Sequence, residues 1–346
     1  MDELTKSQSA SDLPVFFVAG NSRSGTTMTG RMLGKHSSVF TFGELHFFER
    51  LWSPAEANKT LNNHQAEFLL ATLMSIQRDG LFTKRHPEFF RDEANHLLKE
   101  FPVKKASDVF ALFISRESNL HQKQTGCDQT PRNIFYASEI LNLYPAAKFI
   151  CLVRDPRDVV LSQKQKWRRR FLGAKNIPLS ESIRAWINYH PITISKLWNA
   201  SQRAIEKTAG HPRVFVLRFE DLIADAEEMM KKICGFLEIN YEAGMLQVPQ
   251  VGSSLGKDNP HETGIRKDRA GSWKSGGLSE AEIYLIEKNC ADGIRKFHYE
   301  AEKQRANFFA VFWLRITFPV KLFLALLWNF RRVKNLRETI KRRLQK

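Results

Sequence analysis

The chain has 346 residues, of which 42% are hydrophobic and 26% are charged. This composition is typical of a globular protein with a substantial core, and it excludes a largely disordered chain or one embedded mainly in a membrane. The formal net charge of +16 indicates an anionic partner, such as a nucleic acid, a phospholipid surface or a phosphorylated or sulfated small molecule. Because ten Lys or Arg and a single acid fall within 307–346, that segment carries more than half of the excess charge, and no nucleic-acid partner is required.

The first predicted element follows a polar segment, 1–13, which we expect to be flexible. That segment has no apolar stretch typical of a signal peptide, and the four cysteines are widely spaced, so a cytoplasmic location is expected. An apolar run over 14–19 predicts a buried strand that stops at Gly20. Helical spacing from Thr26 to Lys35 predicts a helix, and 45–120 is predicted to be mostly helical.

Two further strand–helix units follow. The strand 147–153 precedes a helix over 158–167, and the strand 213–218 precedes a helix over 221–236. Three apolar strands, each followed by a helix, predict an α/β fold of three layers, with a central parallel sheet covered by helices on both faces. This domain is expected to span 14–306, with a helix near 279–289 before its end.

The loop between the first strand and its helix is a candidate phosphate site. Gly20-Asn-Ser-Arg23-Ser-Gly25-Thr26-Thr27 provides backbone N–H groups at a helix start, where anions bind. Gly25 permits close backbone approach, and the two threonines are expected to cap the helix. The glycine spacing matches the triphosphate loop GxxxxGK[ST], but Thr26 stands where that loop has its lysine. A nucleotide phosphate is therefore predicted, and triphosphate hydrolysis is disfavoured. A simple strand-to-helix turn is the alternative.

The five residues 23–27, Arg-Ser-Gly-Thr-Thr, resemble the 5′-phosphosulfate loop of sulfotransferases that use 3′-phosphoadenosine-5′-phosphosulfate (PAPS). Arginine at its first position is typical of tyrosylprotein-type and many bacterial members. A second segment, from Val153-Arg154-Asp-Pro-Arg-Asp to Ser162, is similar to the family's 3′-phosphate motif. The resemblance covers about 14–275, and it implies the sulfotransferase version of the P-loop fold, PAPS as co-substrate and no metal.

The resemblance also implies a set of donor-binding residues. They are Arg23, Ser24, Gly25, Thr26 and Thr27 at the 5′ end, and Arg154 and Ser162 at the 3′-phosphate. Arg154 follows a strand, at the carboxyl edge of the sheet, where ligands of open α/β folds bind. Its planar guanidinium group can donate two parallel hydrogen bonds to a phosphate.

A weaker third match begins at Arg266-Lys267 and resembles the segment that closes over the 3′-phosphate. It adds Arg266 and Lys267 to the predicted ligands. Asp268 replaces a family glycine there, and Arg269 is a plausible substitute ligand.

For catalysis, the resemblance implies that Glu44 is the general base and that Arg23 stabilises the leaving phosphate. Glu44 lies 21 residues after Arg23, the offset found in tyrosylprotein-type members. In an apolar stretch its pKa is expected to be raised. His46 competes for this role, since some members use histidine, although a packing role is the alternative for it. Surface placement beside a turn is the alternative for Glu44.

One departure from the family concerns charge at the leaving group. Many relatives carry a lysine where this chain has Gln129, which can hydrogen-bond but brings no charge. We expect that either Arg132 or Lys123 compensates, or that the transition state is less well neutralised.

The C-terminal tail, 307–346, is apolar as far as 330 and then densely basic and helix-like. Arg315, Pro319 and Lys321 make spanning a bilayer costly, so a helix lying at an anionic membrane surface is expected. Packing on the domain or on a second protomer is the alternative. Two other functions stay open: a P-loop kinase or nucleotidase, and a non-enzymatic membrane or anion binder. Nothing in the sequence identifies the acceptor, which could be a glycan or a lipid.

Overall fold

The structure is a computed structural model that describes residues 13–80, 86–302, 306–329 and 342. Nearly all of the predicted flexible N-terminus (1–13) and of the basic helix (331–346) lies outside these residues.

A five-stranded sheet forms the centre of the molecule. Its strands, in chain order, are β1 Val15–Gly20, β2 Val39–Thr41, β3 Thr125–Asp128, β4 Lys148–Val153 and β5 Val214–Arg218. The spatial order is β2-β3-β1-β4-β5, and every neighbouring pair is parallel. The predicted parallel sheet is therefore confirmed. A separate antiparallel pair, β6 Pro249–Gln250 and β7 Asn259–Thr263, lies outside it.

The α-helices of the described residues cover the two faces and the ends of the sheet. They are α1 Thr26–Gly34, α2 Asn63–Asp79, α3 Arg91–Glu100, α4 Ala106–Leu120, α5 Ala137–Leu143, α6 Pro156–Lys164, α7 Leu179–Asn188, α8 Pro191–Glu206, α9 Phe219–Ala224, α10 Ala226–Leu237, α11 Glu280–Asn289, α12 Ala291–Lys296 and α13 Phe308–Asn329.

The sheet is buried on both faces, as strand β1 shows. Val15 and Phe17 belong to a core cluster on one face, whereas Phe16 and Val18 belong to a cluster on the other. All six residues of β1 are buried. Each large apolar side chain contributes about 1.5–3 kcal/mol to the stability of the folded state when it is fully buried. Burial on both faces therefore stabilises β1 and β4 and positions the loops that follow them.

Three local differences from the sequence-based expectation affect the site. The short strands β2 and β3 were not predicted, since three and four residues carry too little pattern. The helix expected over 221–236 is two helices, because the side chain of Asp225 caps the second by accepting a hydrogen bond from the Glu228 N–H at 3.2 Å. The helix expected over 158–167 ends at Lys164, and a 3-10 helix, Lys166–Leu172, follows it.

Helix α13 is long and apolar enough to cross a membrane. In the structure it packs lengthwise on α7, α8 and α11 instead of standing free of them. Val311, Leu314 and Phe318 recur along one face of the helix and contact a cluster that includes Ile192 and Leu285. The other faces of α13 are exposed, and the helix continues through Pro319.

Candidate functional site

The loop between β1 and α1 requires glycine at two positions. Gly20 has φ 152°, and a Cβ there would lie 2.3 Å from the Leu152 carbonyl oxygen. Gly25 has φ 96°, and a Cβ there would lie 2.4 Å from the Phe219 ring. Gly25 is also the N-cap residue of α1, which has no side-chain cap. The expectation that Thr26 and Thr27 cap this helix is therefore wrong, because the loop places Gly25 at the capping position.

Arg23 lies at the centre of the loop with φ 78°, a left-handed conformation that is uncommon for a residue other than glycine. Its Nε donates to the Ser162 Oγ at 2.9 Å. Its Nη2 donates to the Gly252 carbonyl oxygen at 3.1 Å and to the Ser254 Oγ at 2.9 Å. The Gly/Ser-rich segment between the third strand unit and α11 thus closes over Arg23, a contact that the sequence did not indicate.

Arg154, which follows β4, is 7% exposed and contacts the same loop from the other side. Its Nη1 donates to the Arg23 carbonyl oxygen at 3.0 Å, and its Nη2 donates to the Arg269 carbonyl oxygen at 2.6 Å. The guanidinium also stacks 4.5 Å from the centroid of the Phe219 ring. The ends of β1 and β4 therefore bring the first two sequence motifs into direct contact.

The third motif is attached to the second through a buried carboxylate. Asp158 accepts hydrogen bonds from the backbone N–H groups of Gly271 and Trp273, both at 2.9 Å. Arg266, by contrast, forms an exposed ion pair with Asp268, with Nη2 and Oδ2 2.5 Å apart.

Within that motif, the residue that meets Arg154 is Arg269, through its backbone carbonyl oxygen, and its partly buried side chain lies within electrostatic range of Arg154. Lys267 is exposed, like Arg266. The structure thus brings the substitute ligand to the site, and it does not bring the two residues that the sequence favoured.

The cradle has features that fit a phosphate. Burial and the neighbouring guanidinium groups of Arg169 and Arg154 lower the pKa of Arg23 to about 9, which indicates a surplus of positive charge. The Ser24 Oγ and the Arg154 Nε are buried without a hydrogen-bond partner among the described residues. Buried polar groups are normally paired, so these donors suit an anion with several oxygens. Within the described ranges, no group of three His, Cys, Asp or Glu side chains could hold a metal ion.

Glu44 and His46 lie together beside the cradle, where the charge of Glu44 acts on Arg23. The Glu44 Oε2 is 3.2 Å from the His46 Nε2, and the His46 Nδ1 is 3.4 Å from the Glu49 Oε2. Arg132 in turn donates to Glu49. The structure therefore joins both candidate bases in one chain of charged side chains, in which His46 is buried and Glu44 keeps 43% of its side-chain exposure.

The expectation that the pKa of Glu44 is raised is wrong. Burial in the recess favours its neutral form, but the hydrogen bond and charge of His46, with Lys166 and Arg132, outweigh this and lower its pKa. The pKa of His46 is raised, because the bonds to Glu44 and Glu49 outweigh the effect of its burial. Glu44 is thus an ionised acceptor of protons at neutral pH.

Of the two proposed substitutes for the family lysine, Arg132 lies close enough to act on the charge of Glu44, whereas Lys123 lies away from the site. Gln129 is buried and packs against Gly30 of α1, where an added Cβ would lie 2.7 Å from the Gln129 Oε1. Lys123 lies before β3, at the opposite end of the sheet, and donates to the carbonyl oxygens of His36 and Ser37 at 2.9 and 2.8 Å. The expectation for Lys123 is wrong, and Arg132 is engaged with Glu49.

Sequence reasoning missed a third cation, Lys166. Burial and the charge of Arg23 lower its pKa to about 8, whereas the charge of Glu44 acts in the opposite direction. Lys166 is the first residue of the 3-10 helix that follows α6. It lies four residues after Ser162, and residues at this spacing lie on the same face of a helix. That spacing is the signal that could have identified it. Lys166 thus adds a positive charge close to those of Arg23 and Glu44.

Comparison with known proteins gives a consistent family. The model of a family described as "Sulfotransferase family" matches residues 14–243. A protein-tyrosine sulfotransferase of Drosophila melanogaster is 24% identical over 68% of this chain and 40% of its own length. Nodulation protein NoeE of Sinorhizobium fredii is 24% identical over 66% of this chain and 51% of its own. An uncharacterized protein of Aquifex aeolicus is 25% identical over 67% of this chain and 26% of its own. The chain thus spans about half or less of the length of the curated relatives it matches.

Among solved structures, the sulfotransferase domain of a Synechococcus olefin synthase is 21% identical, with a TM-score of 0.48 over 84% of this chain and 97% of that domain. The sulfotransferase domain of the curacin biosynthetic pathway is 19% identical, with a TM-score of 0.47 over 84% of this chain and 99% of that domain.

Proposed function

The chain belongs to the sulfotransferase family, and from this premise we propose that it moves a sulfonate group from PAPS to an acceptor hydroxyl. PAPS supplies the sulfonate and leaves as adenosine 3′,5′-bisphosphate. One observation carries the choice of donor. The loop after β1 and the arginine after β4 meet, since Arg154 donates to the Arg23 carbonyl oxygen at 3.0 Å while Arg23 donates to the Ser162 Oγ at 2.9 Å. A single small molecule with two separated phosphates can therefore touch both motifs.

We assign the donor-binding roles with that geometry as support. The backbone N–H groups of 25–27 and the side chains of Ser24, Thr26 and Thr27 hold the 5′ end, at the start of α1. Arg154 and Ser162 hold the 3′-phosphate, with Arg269 beside them. Arg266 and Lys267 stay predicted ligands, and both would have to turn inward from the surface to reach the donor.

The catalytic roles are divided between one carboxylate and two cations. Glu44 accepts the proton of the acceptor hydroxyl, and its lowered pKa keeps it ionised for that task. Arg23 and Lys166 stabilise the negative charge that develops on the leaving phosphate oxygens, where preorganised donors contribute most. His46 orients Glu44 through its Nε2 at 3.2 Å.

The reaction is tested by incubating the protein with PAPS and a panel of hydroxyl acceptors, and separately with ATP and Mg²⁺. Our proposal expects sulfonate transfer and no ATP turnover. The kinase or nucleotidase alternative is disfavoured by Thr26, which cannot reach a γ-phosphate as a lysine does. ATP turnover without any sulfonate transfer would replace our proposal with that alternative.

We also propose that the tail, 307–346, holds the enzyme at an anionic membrane surface from the cytoplasmic side, where a glycan or lipid acceptor could be reached. Support comes from the exposed apolar side chains of α13, including Phe309 and Trp313 at 78% and 66% exposure. Eight Lys or Arg and one acid follow in 331–346. The lengthwise packing of α13 on the domain favours a helix in the membrane plane over one that crosses the bilayer.

A further inference from the structure

Helix α7 is inverted relative to an ordinary surface helix. Its exposed side is apolar, with Leu179, Ile183 and Trp186 at 55%, 42% and 58% exposure. Its inward side is polar, since Glu181 and Ser182 are each 5% exposed. A surface helix in water normally shows the opposite arrangement. The exposed apolar face of α7 therefore indicates a partner that is itself apolar.

The same kind of surface continues to the mouth of the site. The 3-10 helix Lys166–Leu172 packs against α7. Its first residue, Lys166, faces the charges of Arg23 and Glu44. Its next turn exposes Trp167 and Phe171, at 38% and 61%, with ring centroids 6.3 Å apart. We call the five exposed apolar residues of these two helices the rim surface: Trp167, Phe171, Leu179, Ile183 and Trp186.

The rim surface is joined to α13 by direct contacts. The Lys321 Nζ lies 3.7 Å from the centroid of the Trp186 ring. The Asn329 Nδ2 donates to the Asn188 Oδ1 at 2.8 Å. Exposed apolar side chains thus extend from the residues beside Lys166 across α7 to the exposed side of α13, with Lys321 and the Asn188–Asn329 hydrogen bond at the junction. Exposed apolar side chains grouped in this way mark an interaction site.

A lipid bilayer is the partner that this surface fits best. Exposed tryptophans stand at both ends of it, and aromatic side chains of this kind lie at headgroup depth in membranes. The segment 331–346, with eight basic residues and one acid, follows α13 directly and attracts anionic headgroups.

We propose that the rim surface lies on an anionic bilayer, so that the mouth of the site faces the headgroups. The acceptor is then an amphiphile whose hydroxyl group is presented at headgroup depth. The statement about the acceptor rests on the proposed sulfonate transfer. The contact between the rim surface and the bilayer does not depend on that reaction.

Quenching of tryptophan fluorescence by brominated lipid tests the docking. The full chain is mixed with vesicles of phosphatidylglycerol and phosphatidylcholine, with and without bromine on the acyl chains. Four of the seven tryptophans are exposed: Trp167, Trp186, Trp313 and Trp328. The other three are 5% exposed or less and are not expected to contact lipid. The fluorescence lost on adding brominated lipid should therefore fall to about half when two of the four exposed tryptophans are replaced, in Trp167→Phe together with Trp186→Phe. Trp313→Phe with Trp328→Phe is the matched control and should give a similar loss.

Two results would overturn the inference. In the first, the Trp167→Phe and Trp186→Phe double variant is quenched as strongly as the unchanged protein, while the Trp313→Phe and Trp328→Phe double variant is not quenched. That result would mean that only the tail contacts lipid. In the second, no variant is quenched and sedimentation shows a dimer, so that a second copy covers the surface. Affinity for adenosine 3′,5′-bisphosphate, measured on the same samples, separates this failure from that of the proposed function. Intact nucleotide binding without rim quenching contradicts the docking alone, whereas rim quenching without nucleotide binding contradicts the donor assignment alone.

Discussion

The proposed donor side and the proposed acceptor side of the site are built in different ways. The donor side consists of backbone and arginines fixed at the ends of β1 and β4, two strands buried on both faces. The acceptor side consists of Glu44, His46 and Lys166, which lie in a loop and a 3-10 helix and hold one another through charge. The difference suggests that nucleotide binding depends on the fold, whereas proton transfer and acceptor choice depend on a few side chains that can be changed separately.

The largest expected effect tests whether the acceptor side acts separately. Glu44→Gln should lower kcat by about two to four orders of magnitude, because the amide cannot accept the hydroxyl proton. Affinity for adenosine 3′,5′-bisphosphate should stay unchanged. Steady-state kinetics and calorimetry measure the two quantities.

His46→Gln is the comparison variant for that experiment. If it lowers kcat more than Glu44→Gln does, or if Glu44→Gln keeps near-normal turnover, His46 is the better candidate for the base.

A smaller effect is expected on the donor side. Arg154→Met should weaken binding of adenosine 3′,5′-bisphosphate about 10- to 100-fold, as expected for the loss of charge-assisted hydrogen bonds to a phosphate. Arg266→Met is the comparison variant, and a smaller loss is expected there, since that predicted ligand is exposed and paired with Asp268. Equal losses in both variants, measured by calorimetry, would return Arg266 to the site. The melting temperature without nucleotide shows whether either variant perturbs the fold.

The charge of Lys166 should appear in the pH profile. Because burial and Arg23 lower its pKa to about 8, its proton is lost as pH rises through that value. We expect kcat/KM for PAPS to fall above about pH 8. Lys166→Met should reduce it about tenfold at neutral pH and should remove that limb of the profile. Lys175→Met, at an exposed position, is the control. An unchanged alkaline limb in Lys166→Met would exclude this lysine from the reaction.

The smallest effect on nucleotide binding is expected from the tail. Replacing the eight Lys and Arg of 331–346 by Gln should abolish binding to anionic vesicles, because the electrostatic attraction to headgroups is lost. The affinity for adenosine 3′,5′-bisphosphate should change by less than about twofold, because none of the predicted donor ligands lies in 331–346 and salt screens charges that do not contact the nucleotide. Vesicle sedimentation and calorimetry measure both. A large loss of nucleotide affinity would instead make the tail part of the donor site.

The difference between residues at strand ends and residues in loops and 3-10 helices also explains which site residues could be predicted from the sequence. Strands β1, β4 and β5 are continuous apolar runs, so their ends, and with them Arg23 and Arg154, could be placed before the structure was known. Lys166 lay within the predicted helix 158–167 and was missed because its four-residue spacing from Ser162 was not used. Arg269 is partly buried and Arg266 is exposed because of the conformation of the turn that carries them. The residue types in this segment do not specify that conformation.

The pKa of Glu44 was predicted in the wrong direction for a related reason. Its apolar neighbours in sequence suggested desolvation, whereas its partner, His46, is brought to 3.2 Å by a left-handed backbone turn with φ 52°. A hydrogen bond of this kind depends on a conformation that residue spacing does not specify.

The account depends most on one doubly phosphorylated adenosine bridging two strand ends. Calorimetric titration of the whole chain with adenosine 3′,5′-bisphosphate, 5′-AMP and 3′-AMP tests this directly. We predict that the bisphosphate binds at least about tenfold more tightly than either monophosphate, because each phosphate contributes its own charge-assisted hydrogen bonds. Equal affinity for the bisphosphate and 5′-AMP would contradict the account, since the end of β4 would then hold no phosphate.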